Sequence, residues 1–192
     1  MKPRKRLSIL EAAETLFNRF GLTKTGIDEI AASARVARGT IYNYFGSKEG
    51  VIRELLRHKM ESFDLIMKTC IAQGSDPIEK LRLLMKKRMS FIVRNPLLAD
   101  YVRSPQGGKD IGELYGEINR KAKDAVLEII RQAQGNGNIS VTNAERMASV
   151  LVKALKGFEK DHVESQGIIE DSTETMESDL DYFVSLIIKG VK

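Results

Sequence analysis

An all-α fold follows from three features of the 192-residue chain. Apolar residues recur at helical spacing through most of its length, and no run alternates with period two between turn signals. The only prolines, at 3, 77, 96 and 105, fall in the N-terminal tail or where helices should begin or end. The predicted architecture is an N-terminal three-helix helix-turn-helix domain over residues 1–47 and a larger helical domain over 48–192, about nine helices in total.

Each element has its own signals. Ile9, Ala13, Leu16, Phe17 and Phe20 share one helical face, and Gly21 follows as a stop. A short apolar set, Ile27, Ile30, Ala31 and Ala34, follows Thr25, which with Asp28 three residues on resembles a capping box. Ser47 is placed to cap a long helix carrying Val51, Ile52, Leu55, Leu56, Phe63, Ile66, Met67 and Cys70 and ending near Gly74. The run DPIE at 76–79 combines an Asp cap, a first-turn Pro and a Glu, and opens a helix through Leu81, Leu84, Met85, Phe91 and Ile92. A short helix over Leu97 to Arg103 precedes SPQGGKDIG, which reads as a loop. Leu114, Ile118, Ala122, Ala125, Ile129 and Ile130 mark the next helix, which GNGN at 135–138 terminates. Thr142 and Glu145 box a further start, ahead of Met147, Leu151, Leu155 and Phe158. The last helix carries Met176, Leu180, Phe183, Val184, Ile187 and Ile188.

Bulk properties narrow the function. No apolar run reaches the roughly 20 residues of a membrane span, and the basic N-terminus turns amphipathic at once, unlike a signal peptide. One cysteine, Cys70, forms no internal disulfide framework, and a cytoplasmic location is expected. Charge is uneven: residues 1–60 hold 12 Lys/Arg against 6 Asp/Glu, whereas 61–192 hold 19 against 20. The positive field belongs to the first third, which suits a polyanion such as nucleic acid, although a solvated lysine-rich face has the same composition.

The run RVARGTIYNYFGSKEG, Arg35 to Gly50, places Tyr42, Tyr44 and Phe45 within four positions, in a chain with 12 aromatic residues and no Trp. Two short helices, about 27–34 and 38–44, joined by a three-residue turn have helix-turn-helix dimensions. The second helix of such a unit lies in the DNA major groove. Val36, Ile41 and Phe45 then face a small core with Phe17, Ile27 and Ile30. Arg38, Gly39, Tyr42 and Asn43 face outward, flanked by Thr40 and Tyr44. Gly39 permits close backbone approach, Thr and Tyr hydroxyls donate to phosphates, and Asn43 has the paired donor and acceptor that read adenine. Lys48 adds charge at a helix start. The alternative is that the tyrosines merely pack on the following helix.

The run ILEAAETLFNRFGLTKTGIDEIAASARVARGTIYNYFGSKEGVI resembles the DNA-binding domain of the TetR family of transcriptional regulators. The matching positions are Ile9, Ala12, Ala13, Leu16, Phe17, Gly21, Thr25, Ile27, Ile30, Ala31, Ala34, Val36, Gly39, Thr40, Ile41, Tyr42, Tyr44, Phe45, Lys48 and Glu49, over roughly the first 52 residues. Two positions depart from the pattern: Arg35 stands where the family usually has Gly in the turn, and Ala37 where Ser commonly caps the recognition helix. The resemblance implies a homodimeric DNA-binding regulator, a repressor that a small-molecule effector releases from a roughly palindromic operator. A helical dimeric scaffold or DNA-architectural protein without effector response is the alternative. The DNA-facing set is Lys5, Arg6, Thr25, Arg38, Gly39, Thr40, Tyr42, Asn43, Tyr44 and Lys48, with KPRKR at 2–6 read as a flexible arm or a solvated tail.

The resemblance also implies an effector cavity in residues 48–192, for which Met60, Phe63, Met67, Arg82, Met85, Arg88, Met89, Phe91, Tyr101 and Tyr115 are candidates. Methionines suit irregular apolar cavities, although the same stripes serve as ordinary core. Arg82, Arg88 and Arg94 suggest an apolar effector with an acidic head; alternatively they are surface residues paired with Glu79, Glu113 or Glu117. Dimerisation through the last two helices implicates Leu151, Leu155, Phe158, Leu180, Phe183, Val184 and Ile187, with the acidic stretch 159–181 solvated between them. An enzyme is not expected. His58 and His162 lie far apart, and no glycine-rich phosphate loop, zinc spacing or nucleophile elbow is present, so neither metal nor cofactor is called for.

Overall fold

The computed structural model describes residues 2–73, 76–105, 109–165 and 172–190. Among them are nine α-helices and no strand: α1 Lys2–Lys24, α2 Ile27–Ser33, α3 Arg38–Phe45, α4 Lys48–Ala72, α5 Pro77–Val93, α6 Pro96–Arg103, α7 Lys109–Gly135, α8 Ala144–Ser165 and α9 Ser172–Gly190. The all-α reading holds. The chain divides into two compact units, residues 1–61 and 62–192, and α4 contributes residues to both.

In the first unit α1 packs on α2 and α2 on α3. Ile9, Ala13, Phe17, Ile30, Ile41, Val51 and Leu55 are its buried centre. The spacing that made α1 amphipathic delivers Ile9, Ala13 and Phe17 inward, and Gly21, at φ 80°, interrupts the helix where a stop was expected. Of the two readings of KPRKR, a flexible arm or a solvated tail, the structure has neither as a free segment. Residues from Lys2 onward continue α1, and Arg6 is held by Glu54 at 2.6 Å with its guanidinium 5.7 Å from the centre of the Phe45 ring.

The start of α2 also differs in detail. Gly26 is the N-cap, and its amide donates to the Glu29 side chain. Thr25 is 2% exposed, and its hydroxyl donates to the carbonyls of Gly21 at 2.9 Å and Leu16 at 3.3 Å. It ties α1 to the turn before α2, so its hydroxyl serves the frame rather than a DNA face.

The turn between α2 and α3 reverses through a left-handed residue. Val36 donates to the Ala31 carbonyl at 2.9 Å and Arg35 to that of Ala32 at 3.1 Å, the paired bonds of a Schellman motif. Arg35 has φ 54°, the only positive φ of a non-glycine residue among the described residues. Ala37 caps α3 with no side-chain hydrogen bond. Both departures from the family pattern therefore cost stability here. Arg35→Gly is expected to gain about 0.5–1 kcal/mol, the left-handed penalty less glycine's larger entropy loss. Ala37→Ser is expected to gain about 1 kcal/mol by capping. Urea unfolding of each variant checks both, and an unchanged or lowered midpoint for Arg35→Gly would show the turn to be unstrained.

In the second unit α5 is central, packing against α6, α7, α8 and α9. Asp76 caps α5 by accepting from the Ile78 amide at 3.0 Å, with Pro77 in the first turn, as the DPIE run indicated. Leu81, Leu84, Met85, Met89 and Ile92 of α5 are buried among Ile118, Val126, Ile129 and Ile130 of α7 and Leu151 and Leu155 of α8. At the start of α8 the capping oxygen belongs to Asn143, which accepts from the Arg146 amide at 2.8 Å, one residue beyond the expected Thr142. The expected ends near Gly74 and within SPQGGKDIG lie partly outside the described residues, and Lys109 already opens α7.

Candidate DNA-reading face and effector region

Helix α3 sorts its residues largely as the periodicity required, except that Phe45, expected in the core, is half-buried. Ile41 is fully buried, while Arg38, Gly39, Tyr42 and Asn43 are exposed and Thr40, Tyr44 and Phe45 are half-buried. Tyr42, at 40% exposure, therefore belongs to the surface and not to the core. Arg38 is held at that surface by three contacts: its guanidinium donates to Asp28 Oδ2 on α2 at 3.1 Å and to the Tyr42 hydroxyl at 3.1 Å, and lies 5.5 Å from the Tyr42 ring centre. The Tyr42 hydroxyl, then the Asp28 carboxylate, push the Arg38 guanidinium above its ordinary value.

Beyond α3, Gly46 (φ 75°) ends the helix and Ser47 caps the next, its hydroxyl accepting from the Gly50 amide at 3.1 Å. Lys48, half-buried, is the first residue of α4, and Lys5 is exposed on α1. Gly50 carries a constraint that the sequence did not signal. A Cβ there would overlap the Phe45 carbonyl oxygen and stand 2.9 Å from its carbon. The end of α3 and the start of α4 thus meet backbone to backbone.

In the second unit, Phe63, Met67, Met85, Arg88, Met89, Phe91 and Tyr115 are all buried, and Arg82 and Tyr101 are half-buried. Met60, half-buried, belongs to residues 1–61. The Phe63 and Phe91 rings pack at 5.1 Å between centres, and those of Tyr101 and Tyr115 at 5.6 Å. Met89 borders a cavity of about 90 Å³ shared with Phe158, His162 and Met176. A drug-sized ligand needs roughly 300 Å³ or more. The two ring pairs are close-packed in this state.

The arginines resolve differently from one another. Arg94 is exposed. Arg82 bridges to Glu79 at 3.5 Å, to the Asp181 main-chain carbonyl at 3.1 Å and to the Ser185 hydroxyl at 2.9 Å, a surface network joining α5 to α9. Arg88 and Glu159 form an ion pair in which both side chains are fully buried. Arg88 also donates to Asn119 Oδ1 at 2.5 Å, and the Tyr115 hydroxyl donates to Glu159 at 2.9 Å. Burial pushes the Glu159 carboxyl up, with Arg88 and Tyr115 pulling it back. The Tyr115 hydroxyl is raised by burial and by the Glu159 charge. Arg88 thus does not present an open fork to an acidic head, because Glu159 already occupies it. The stretch 159–181 is not simply a solvated connection either: Glu159 is core and Asp181 binds Lys86 at 2.6 Å.

The residues expected at a dimer interface divide in two. Leu151, Leu155, Leu180 and Val184 are about 1% exposed within the single chain and belong to its own core, while Phe158, Phe183 and Ile187 are half-buried. The exposed apolar residues of these helices are Val150, Tyr182 and Leu186. An open groove of about 660 Å³ runs past Met147, Val150, Leu151 and Ile187. No helix among the described residues is long and apolar enough to cross a membrane, and no group of three or more metal-ligating side chains occurs among them.

A helix-turn-helix with an exposed basic and aromatic recognition helix, followed in the chain by an all-helical unit of six elements or parts of elements, defines a DNA-binding transcriptional regulator. Residues 9–55 match the model of the bacterial regulatory proteins of the tetR family. The chain is 34% identical over 150 residues to the fatty acid metabolism regulator protein of Bacillus subtilis (strain 168), covering 77% of each chain. It is 32% identical over 84 residues to the HTH-type transcriptional repressor KstR2 of Rhodococcus jostii (strain RHA1), covering 44% of this chain and 41% of that one. The solved structure of FadR from Bacillus subtilis in complex with stearoyl-CoA shares the fold, with a TM-score of 0.71 at 23% identity and 97% and 99% of the two chains covered. The chain belongs to the TetR family of bacterial transcriptional regulators.

Proposed function

We propose that this regulator is a cytoplasmic homodimeric repressor, not an enzyme, that α3 and its flanks read the operator, and that a fatty acyl thioester releases it. In this reading residues 1–47 bind DNA and residues 48–192 bind the effector and the second copy. The observation that carries the DNA assignment is Gly39. It lies inside α3, where glycine costs roughly 0.5–1 kcal/mol relative to alanine, yet a Cβ there would meet nothing within 4 Å in the protein. No internal packing requires the glycine, so the open space suits an outside backbone, such as that of DNA, at close approach. Gly39→Ala is expected to raise the unfolding midpoint slightly and to weaken operator binding about tenfold or more. Equal or tighter operator binding would remove Gly39 from the interface.

Lys5, Thr40, Tyr42, Asn43, Tyr44 and Lys48 complete the DNA set, and Arg6 acts by bracing α1 on Glu54 and Phe45. The effector assignment rests on the likeness to the Bacillus subtilis sequence and structure named above, and on the buried Met67, Met85, Met89, Phe63 and Phe91, an adaptable apolar lining. Because Glu159 neutralises Arg88, the buried end of the effector is uncharged, which favours a thioester over a free acid. Binding would select a state in which these side chains separate and the two recognition helices no longer fit their half-sites. The second copy is assigned to the face carrying Val150, Tyr182 and Leu186. Selection of bound fragments from a random DNA pool tests the reading, followed by release with stearoyl-CoA, stearate and coenzyme A. A two-fold motif released by the thioester alone is expected. A motif that none of the three releases would refute the effector, and binding with no motif would favour the architectural alternative.

A further inference from the structure

Arg38 is more constrained than a surface arginine needs to be. It is the first residue of α3, and its side chain is 59% exposed, yet both terminal nitrogens are engaged: one with Asp28 Oδ2, the other with the Tyr42 hydroxyl, each at 3.1 Å. The Tyr42 ring supports the guanidinium from the side, at 5.5 Å. A free arginine loses rotamer entropy when it is ordered on a ligand; here much of that ordering is already done. Each terminal nitrogen has a second hydrogen, so the fork keeps two donors for an outside acceptor.

We propose that Arg38, braced by Asp28 and Tyr42, reads a guanine in each half of the operator; the inference rests on the DNA-binding assignment above. The choice of guanine over phosphate comes from Asp28. A carboxylate at 3.1 Å offsets the guanidinium charge and repels a phosphate, so it lowers the value of this arginine as a phosphate contact. It does not lower the directionality of the two remaining terminal N–H groups. Guanine presents O6 and N7 side by side in the major groove, and a fixed pair of parallel donors matches them bidentately. Asp28 is then a positioning residue. It exchanges general affinity for orientation, and it sits on α2, a different helix from the one that it orients.

The test uses the full-length protein and the operator recovered by selection, with 7-deazaguanine placed at each half-site guanine in turn to remove N7 without altering pairing. At one position per half-site the wild type is expected to lose about tenfold or more in affinity, and Arg38→Ala is expected to lose nothing further there. Arg38→Lys keeps the charge but not the fork, so it should lose the guanine preference while retaining the salt dependence. Asp28→Ala should bind random DNA more tightly, because a repelling charge is gone, while its guanine-over-adenine preference falls about fivefold or more. A two-fold motif with no guanine sensitive to Arg38 would overturn the inference and leave the regulator reading intact. So would an Asp28→Ala protein with undiminished preference. Failure to recover any motif would overturn both.

Discussion

Glu159→Ala is expected to destabilise the second unit by about 3–5 kcal/mol, the cost of leaving one member of a fully buried ion pair behind. Arg88, on α5, is 0% exposed, and its charge is met by Glu159 on α8 while Asn119 on α7 accepts from its second terminal nitrogen. Arg88 Nε has no partner, so little remains to compensate the cation once Glu159 is gone. The Tyr115 hydroxyl loses its acceptor as well, which leaves a second buried donor unpaired. Against a total of roughly 5–15 kcal/mol for a typical domain, this is a large fraction. The double variant Arg88→Met/Glu159→Leu should recover most of the loss, since removing both charges also removes their desolvation cost. Urea unfolding followed by circular dichroism separates the cases. A Glu159→Ala loss under about 1 kcal/mol, or a double variant no better than the single, would mean that the pair is not sealed from water.

Gly50→Ala is expected to cost about 1–3 kcal/mol or more in the first unit and to impair operator binding beyond what that loss explains. The new Cβ meets the Phe45 main chain and not a flexible side-chain end, so relief requires α3 and α4 to separate or rotate. That movement carries Tyr42 and Asn43 with it, and a displacement of about 1 Å is enough to spoil positioned contacts. Unfolding midpoint and operator affinity measured together would show both falling. An unchanged midpoint would mean that the junction yields without strain.

What the sequence made legible was whatever depends on near neighbours. Ser47 and Asp76 were recognisable as caps because a capping bond spans two or three residues. The division of α3 into Ile41 inside and Arg38, Gly39, Tyr42 and Asn43 outside needed only helical geometry. Arg35 could be marked only through the resemblance, which places Gly at that turn position, and its φ of 54° agrees. Thr25 was misjudged because its hydroxyl found carbonyls nine and four residues back, which no capping pattern describes.

Pairings across the fold were out of reach. Arg88 and Glu159 are 71 residues apart, and Glu159 looked like one member of an acidic run. A signal did exist: Glu159 continues the Leu151 and Leu155 stripe at four-residue spacing, and Arg88 stands between Leu84 and Ile92 in the same way. A charge in a buried stripe calls for a buried partner. Four of the seven residues expected at the dimer interface lie in the single chain's own core for a related reason. An apolar stripe at Leu151, Leu155, Leu180 and Val184 reads alike whether it faces its own chain or another, and here it faces its own. The overlap at Gly50 is a distance between backbones, for which the sequence offers only the glycine itself.

Recognition of a particular DNA sequence by α3 is tested by measuring affinity for the selected operator and for a scrambled duplex across a salt series. The operator is expected to bind at least about a thousandfold tighter at near-physiological salt, with both affinities falling as salt rises and their ratio largely preserved. Affinities that stay equal at every salt concentration would contradict it.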